Sequence, residues 1–435
     1  MNEKIAILHI NDLHSHFEAA ISLKNMVFQR RQQLQQDGYE VIVVDDGDFL
    51  DRYHPLTEAT LGQVNVEFLN YLGVQYFTIG NNEGLGLQKK QLMHLYDHAQ
   101  GTCVLGNLYD GKQLAPFAKR YAIHQTKNGQ KIAFIGLTAP YPESYGPLGW
   151  EITDPLAELQ DIYTECQHIA DKFVLLSHLG YHPDVEIAKK CPWLSAIIGG
   201  HTHHLLERGE IINGVILVAA KKHGMYLGEL DLTNKKACVH TLTKNDDLND
   251  ELMKQGNAIL EQTKYGYLDY NMSAFDFTAA VLRQLRLKYQ CDLGILNSGL
   301  CVKDICQGLV TKATLHTLFP HPMHILIVKM KGFEIRRLLF EMEKNQPFLR
   351  KFALTGFGFR GKLFGDLIFD SSKIFSLEQI QDDEIYRVLT VDHYSFIPFF
   401  PTISYAGSNK IEMDYFLREQ IAMILPQMSQ IKERE

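Results

Sequence analysis

The chain has 435 residues, 46% hydrophobic and 22% charged, and its 43 basic and 51 acidic side chains leave a net charge of −8. That length predicts two to three domains, and the composition is that of a globular chain with a real core, which excludes long-range disorder. The acidic balance argues against a nucleic-acid partner, and no run of about 18 uncharged apolar residues occurs, so no membrane span is expected.

The first residues, MNEKIAILHIND, hold no basic stretch leading into a long apolar core, so no secretory signal is read and a cytoplasmic location is expected. Seven cysteines (103, 166, 191, 238, 291, 301 and 306) are widely spaced with no CxxC, which fits reduced, mostly buried thiols better than a disulfide framework. KIAILHI (4–10), VIVVDDG (41–47), QYFTIG (75–80), TCVLGN (102–107), KIAFIGL (131–137), KFVLLSH (172–178) and LSAIIGGH (194–201) read as buried strands. Helices are predicted at 21–36, 61–72, 87–98, 155–169 and 184–190, and the alternation predicts a layered α/β domain over 1–240. Within it, GVILVAA (214–220) and LGELDLT (227–233) read as sheet-edge or hairpin strands.

Residues 241–266 are polar, charged and helix-compatible, and predict a linker containing a helix. From 267 to 435 the order is less regular. A helix is predicted at 276–288, then strand DLGILNSG (292–299), helical TLHTLF (314–319) and strand HILIVKMKG (324–332). The amphipathic helix EIRRLLFEMEK (334–344), strand YRVLTVD (386–392) and a helix at 412–424 follow, making a mixed α+β domain.

Chemistry gathers where the first domain's strands end, which is where open α/β sheets bind ligands. Asp12 and His14 follow the first strand, Asp48 the second, and Asn81, Asn82 and Glu83 the third; His178 ends KFVLLSH, and His201, His203 and His204 follow LSAIIGG. Asp-x-His and His-x-His each converge two side chains on one cation, a carboxylate such as Asp48 can bridge two, and Asn81 offers a neutral oxygen. Mixed nitrogen and oxygen ligation suits Mn, Fe, Zn or Co better than Ca or Mg. Two such cations about 3.5–4 Å apart activate water and clamp both oxygens of an in-line displacement, as phosphate ester hydrolysis requires.

The series Asp12-Leu-His14, Gly47-Asp48, Gly80-Asn81-Asn82-Glu83, His178 and Gly200-His201-Thr202-His203 resembles the calcineurin-like metallophosphoesterases. DLGILNSG, ATLHTLFP and HILIVKMKGFEI resemble the C-terminal domain of the 5'-nucleotidases, a family that includes UDP-sugar hydrolases and 2',3'-cyclic phosphodiesterases. The resemblance implies a four-layer α/β/β/α sandwich followed by a separate substrate-binding domain. It also implies two divalent metal ions. Asp12, His14, Asp48 and His203 would hold one, and Asp48, Asn81, His178 and His201 the other. Metal-bound hydroxide would attack phosphorus, and the second domain would stack aromatic side chains on the base.

Two departures stand out. The family usually has GNH followed by an acid, and here Asn82 takes the histidine's place. Asn82 can donate a hydrogen bond to a phosphoryl oxygen but is no general acid, a contribution worth about 10²–10⁴-fold. His16, His54, His182 and His204 are candidates to replace it. Second, the usual N-A-G-G-I-R loop reads Asn297-Ser-Gly-Leu-Cys-Val, without the arginine. Asn297 remains a candidate substrate contact, and Phe359 and Arg360 in FGFRG (357–361) are candidates to stack a base and pair an anion. HYSFIPFFPTISY (393–405) adds Phe399, Phe400 and Tyr405 as candidate stacking residues.

The expected function is a dinuclear-metal phosphohydrolase that releases phosphate from a nucleotide or related phosphate ester. The alternatives are a cyclic-nucleotide phosphodiesterase, a nucleotide-sugar pyrophosphatase, a catalytically weak metal-dependent nucleotide binder, and a nuclease, against which the acidic charge weighs.

Overall fold

Aliphatic runs in the first half of the chain become the buried strands of two sheets. The computed structural model describes residues 4–351, 363–371, 379–405 and 409–428, and the chain divides into the units Met1–Gly256 and Asn257–Glu435. In chain order the principal strands of the first unit are β1 (Lys4–Ile10), β2 (Tyr39–Asp45), β3 (Tyr76–Phe77), β4 (Thr102–Cys103), β5 (Tyr121–Gln125), β6 (Lys131–Thr138), β7 (Lys172–His178), β8 (Ala196–Gly199), β9 (Glu210–Ile212), β10 (Val215–Val218), β11 (Tyr226–Asp231) and β12 (Lys236–Thr241). Its principal helices are α1 (Ala20–Gln36), α2 (Pro55–Thr60), α3 (Gln63–Leu72), α4 (Asn81–Gly86), α5 (Pro155–Cys166), α6 (Tyr181–Lys190) and α7 (Asp246–Leu260), the last running into the second unit.

One six-stranded sheet has the order β12-β11-β1-β2-β3-β4 and the other β9-β10-β8-β7-β6-β5. Strands β1 to β4 pair in parallel, as do β6, β7, β8 and β10, while antiparallel pairs finish the edges. Parallel pairing requires crossovers, which carry the chain back and leave the parallel strands' C-terminal ends at the same edge of their sheet. The sheets meet face to face. Ile5, Ile7, Ile42 and Val44 of one pack with Phe134, Val174, Leu176 and Ile198 of the other, all fully buried. Each such side chain contributes about 1.5–3 kcal/mol of transfer free energy. On the outside, Leu159, Ile162 and Ile187 of α5 and α6 cover the second sheet, and α1 packs on β2 through its buried face of Leu23 and Val27. Helices outside and sheets within give the α/β/β/α order.

The second unit has β13 (Lys264–Leu268) paired with β15 (Gly308–Thr311). Its five-stranded sheet has the order β17-β14-β18-β16-β19, from β14 (Leu293–Asn297), β16 (His324–Lys331), β17 (Leu367–Ser371), β18 (Ile385–Val391) and β19 (Asn409–Phe416). Its principal helices are α8 (Ala274–Lys288), α9 (Gly332–Leu349), α10 (His393–Phe396), α11 (Pro401–Tyr405) and α12 (Leu417–Met428).

Three segments differ from expectation. The helix predicted at 61–72 is α3, which starts two residues late and is preceded by a separate helix, α2, not predicted, because Leu61 and Gly62 both take left-handed backbone (φ 49° and 87°) between the two. The polar stretch to residue 266 yields a strand, β13, after its helix. The helix predicted at 412–424 begins as a strand, because IEMDYF alternates with period two and β19 pairs antiparallel with β16; the helix starts only at Leu417. Cys238 and Cys306 are exposed and the other five cysteines buried. Among the described residues no helix is long and apolar enough to cross a membrane.

Candidate metal centre

The loops that leave β1, β2, β7 and β8 bring their polar residues to one place. Asp12, His14 and His203 form one group of potential ligands and Asp48, His178 and His201 a second; within each group the ligand atoms lie within 4.8 Å of one another. The groups adjoin. Asp48 Oδ2 is 3.3 Å from His178 Nε2 and 3.8 Å from His14 Nε2, and Asp12 Oδ1 is 3.6 Å from His203 Nε2 and 3.9 Å from His14 and His178 Nε2. His14 and His203 meet Nε2 to Nε2 at 3.2 Å.

The backbone is bent to achieve this. Asp12, His14, Asp48, His201 and His203 have φ of 47°, 51°, 48°, 68° and 56°. Left-handed backbone is uncommon outside glycine and gathers at functional sites. Gly47 (φ 89°) and Gly80 let the second and third loops touch, since a Cβ at Gly80 would run into the Asp48 carboxylate.

Buried partners set each ligand. Glu83, in the first turn of α4, accepts the N–H groups of Gly80 (2.8 Å), Asp48 (3.0 Å) and Leu50 (2.9 Å), tying the second loop to the third. His178 donates from Nδ1 to the Asp46 carbonyl at 2.8 Å, which turns Nε2 toward the two aspartates. His201 Nε2 meets the Tyr141 hydroxyl at 2.9 Å, leaving Nδ1 to serve as ligand, and the His201 N–H donates to Asp12 Oδ1 at 3.0 Å.

Ionisation follows burial and charge. Burial pushes the Asp12 carboxyl up to about 7, reinforced by the Asp48 charge, and burial likewise lifts Glu83 to about 7. Burial also opposes ionisation of Asp48, yet His178, His14 and the Asn82 N–H outweigh it and hold this carboxyl well below the usual range. His178 shows the mirror image: burial disfavours its cation, and Asp48 and Asp12 hold the proton on regardless. His201 and His203 are lowered to about 4 and about 3, first by burial and then by neighbouring imidazoles, so both are neutral at pH 7 with lone pairs to give.

The donor set fits divalent cations. Asp12 Oδ2, Asn81 Oδ1 and His178 Nε2 are buried without a hydrogen-bond partner. Such orphans are costly in a core unless something else satisfies them, and imidazole, carboxylate and amide oxygen are the ligands of Mn, Fe, Zn or Co.

Asn82 takes a different place from the one expected. Its Nδ2 lies 2.8 Å from His14 Nδ1 and donates to the Leu50 carbonyl at 3.1 Å, and its N–H donates to Asp48 Oδ1 at 2.7 Å. The amide is spent on His14 and Leu50; for His14 Nε2 to ligate a cation, its Nδ1 carries the proton and the Asn82 amide turns over so that Oδ1 accepts it. Of the four histidines expected to compensate, His54 caps α2, while His182 and His204 lie against the Tyr181 ring. His16 alone stands beside the centre. It pairs with Glu18 at 2.6 Å and stacks on His223 at 3.7 Å, and the His223 ring lies edge-on to His14. His223 was not legible in advance; its only sequence signal is His-Gly shortly after the strand GVILVAA.

The candidate substrate residues fare less evenly. Asn297 is fully buried, donating to the Phe364 carbonyl at 2.6 Å and accepting from the Tyr394 hydroxyl at 2.7 Å, so its amide is a core polar group rather than a substrate contact. Phe400 is also fully buried, against Phe364 and Tyr394, and is a core ring rather than a stacking surface. Phe399 is half-buried with its ring 5.5 Å from Phe348, and Tyr405 is 84% exposed. Phe359 and Arg360 lie outside the described residues.

In comparison with known proteins, residues 5–205 match the calcineurin-like phosphoesterase family and residues 268–396 the 5'-nucleotidase C-terminal domain. The metallophosphoesterase YunD of Bacillus subtilis is 33% identical over 468 residues, covering 98% of this chain and all of that protein. The trifunctional nucleotide phosphoesterase YfkN of the same organism is 24% identical over 404 residues, 77% of this chain and 27% of YfkN. Among solved structures, the NAD nucleotidase of Haemophilus influenzae aligns with a TM-score of 0.62 at 18% identity, covering 98% of this chain and 96% of its own. The 5'-nucleotidase precursor of Thermus thermophilus aligns at 0.59 and 18%, covering 98% and 97%. At that identity the likeness is one of fold.

Proposed function

This chain belongs to the calcineurin-like metallophosphoesterases with a 5'-nucleotidase-type C-terminal domain and is a phosphoric ester hydrolase, and from that premise we propose that it releases phosphate from a nucleotide at a two-cation centre. The carrying observation is the pair of adjoining ligand groups with Asp48 Oδ2 between them, 3.3 Å from one group's His178 and 3.8 Å from the other's His14. Asp12, His14 and His203 would hold one cation, Asn81, His178 and His201 the other, and Asp48 would serve both. When bound, such cations supply a nucleophilic water at neutral pH and stabilise charge on the phosphoryl oxygens.

The protein's own part is fixing the ligands before substrate arrives. Glu83 clamps the Asp48 loop, the Asp46 carbonyl orients His178, Tyr141 orients His201 and Asn82 steadies His14. In this reading residues 1–240 are the catalytic domain, 241–266 the linker and 267–435 the substrate-binding domain, with Phe399 and Tyr405 as rings for a base. Seven free cysteines suit a reducing, cytoplasmic setting. The test is hydrolysis of nucleoside monophosphates, a cyclic nucleotide, a UDP-sugar and an aryl phosphate, read as free phosphate for the monoesters and as the nucleoside monophosphate formed for the other two, with elemental analysis of the same preparation. Turnover that persists after chelation, or metal bound with no turnover of any of the four, overturns the proposal.

Asn82 favours a second reading on substrate choice. A nucleoside alcohol leaves poorly without a proton, whereas a phosphate departing from a pyrophosphate needs none. An enzyme with no general acid at position 82 is therefore better matched to nucleotide-sugar pyrophosphates or strained cyclic phosphates. The discriminating measurement is the slope of log kcat/KM against leaving-group pKa: steep for this reading, shallow if another group protonates the alcohol.

A further inference from the structure

Away from the strand ends, a second set of ligand-type side chains lies on the hairpin β11–β12. The strands pair antiparallel with Glu229 opposite Cys238 and Leu227 opposite His240. Residues directly opposite share a face, as do residues two apart along a strand, so Glu229, Cys238 and His240 project together. The distances agree: His240 Nε2 is 2.9 Å from Glu229 Oε2 and 3.7 Å from Cys238 Sγ, and one ligand atom from each residue falls within 4.8 Å of the others. Tetrahedral zinc with bonds of about 2.0–2.3 Å sets its ligand atoms roughly 3.3–3.6 Å apart, so the two distances made by His240 need change only by fractions of an ångström.

We propose that Glu229, Cys238 and His240 form a second metal site, independent of the phosphohydrolase centre, for one borderline-soft divalent cation of the zinc class. The ligand chemistry sets it apart from the strand-end centre. A thiolate beside an imidazole selects zinc-like ions over Mg and Ca, whereas the strand-end ligands contain no sulfur. Arg30, reaching from α1, donates to both oxygens of Glu229 (Nε to Oε2 at 2.7 Å, Nη2 to Oε1 at 2.9 Å). Each carboxylate oxygen has a second lone pair, so this bidentate grip leaves Oε2 able to ligate and fixes the carboxylate as outer-shell partners of metal ligands do. Cys238 is exposed and β12 is the edge strand of its sheet, so a cation enters from solvent and the fourth position stays open to water.

Cobalt(II) tests this, because a cobalt–thiolate bond gives a near-ultraviolet charge-transfer band that imidazole and carboxylate ligands do not. The full chain, stripped with chelator, is titrated with Co(II). A thiolate band is expected whose final amplitude is that of one cobalt–thiolate bond per chain, beyond the ions taken by the strand-end centre; it should be abolished by Cys238→Ser, unchanged by Cys306→Ser (the other exposed thiol), and weakened about tenfold or more in affinity by Glu229→Gln or His240→Asn. Cys238→Ser should hydrolyse an aryl phosphate at the wild-type rate, which also certifies its fold. No thiolate band in the wild type, a band that survives Cys238→Ser, or one that Cys306→Ser removes each overturns the site.

Discussion

The strand-end centre and the β11–β12 hairpin are built from overlapping side-chain types by opposite means. At the strand ends, the three loops after β1, β2 and β8 bend through left-handed backbone to aim their ligands inward, and Asp12, Asp48 and His178 are all but shut off from water. On the hairpin the ladder is regular, none of Glu229, Cys238 and His240 has positive φ, and the cluster is partly covered, with Cys238 alone exposed. One arrangement depends on its surroundings to hold strained loops in place. The other comes from register alone and should tolerate change.

The sharpest way to break that contrast is at Asp48. Asp48→Asn should lower kcat/KM by more than about 100-fold, beyond what loss of an outer-shell partner costs, and should cut metal content in both groups; loss of one ion only would mean that Asp48 is not shared. Next comes Asn82. Asn82→Ala should weaken metal affinity about 10–100-fold through His14 while kcat at saturating metal holds. A collapse in kcat with affinity intact would make Asn82 a substrate-contacting residue. Gly80→Ala pushes a methyl into the Asp48 carboxylate and should lower stability by about 1–3 kcal/mol, read as a shift in denaturation midpoint; the matched control is Gly86→Ala, where φ is not positive and a Cβ meets nothing within 4 Å, so the difference between the two isolates the steric share.

The smallest effect belongs to the hairpin. The contacts to Cys238 and Glu229 raise His240 to about 9. Its folded-state pKa lies above the unfolded value near 6.5, so its contribution to stability is full below about pH 6.5 and is lost as pH rises through 9. In chelator, the melting temperatures of wild type and His240→Gln should converge as pH is raised from about 6 to about 10. A gap that stays constant would show that the imidazolium contributes nothing.

The same contrast explains what the sequence made legible. A strand followed at once by Asp-x-His or Gly-His-x-His is a local signal, and each strand of KIAILHI and KFVLLSH was bounded at the residues observed. The hairpin cluster needs the pairing of Glu229 with Cys238, which no local pattern states. Asn297 stood in a motif and still ended in the core, because its partner Tyr394 arrives from 97 residues away. His223 reaches His14 only because the loop after β10 returns over the first strand's end, its N–H bonded to the Asp12 carbonyl at 2.8 Å. The left-handed φ at Leu61, a residue that disfavours it, has no sequence signal at all.

The distance in sequence between the members of one ligand pair has its own consequence. His14 and His203 touch across 189 residues of chain, His14 following a strand of one sheet and His203 a strand of the other. Neither ligand group can assemble until the two sheets have docked, so a nascent or partly unfolded chain offers only scattered, weak ligands. Cation capture then becomes a checkpoint on the completed first unit, and free metal concentration should slow unfolding far more than it speeds folding.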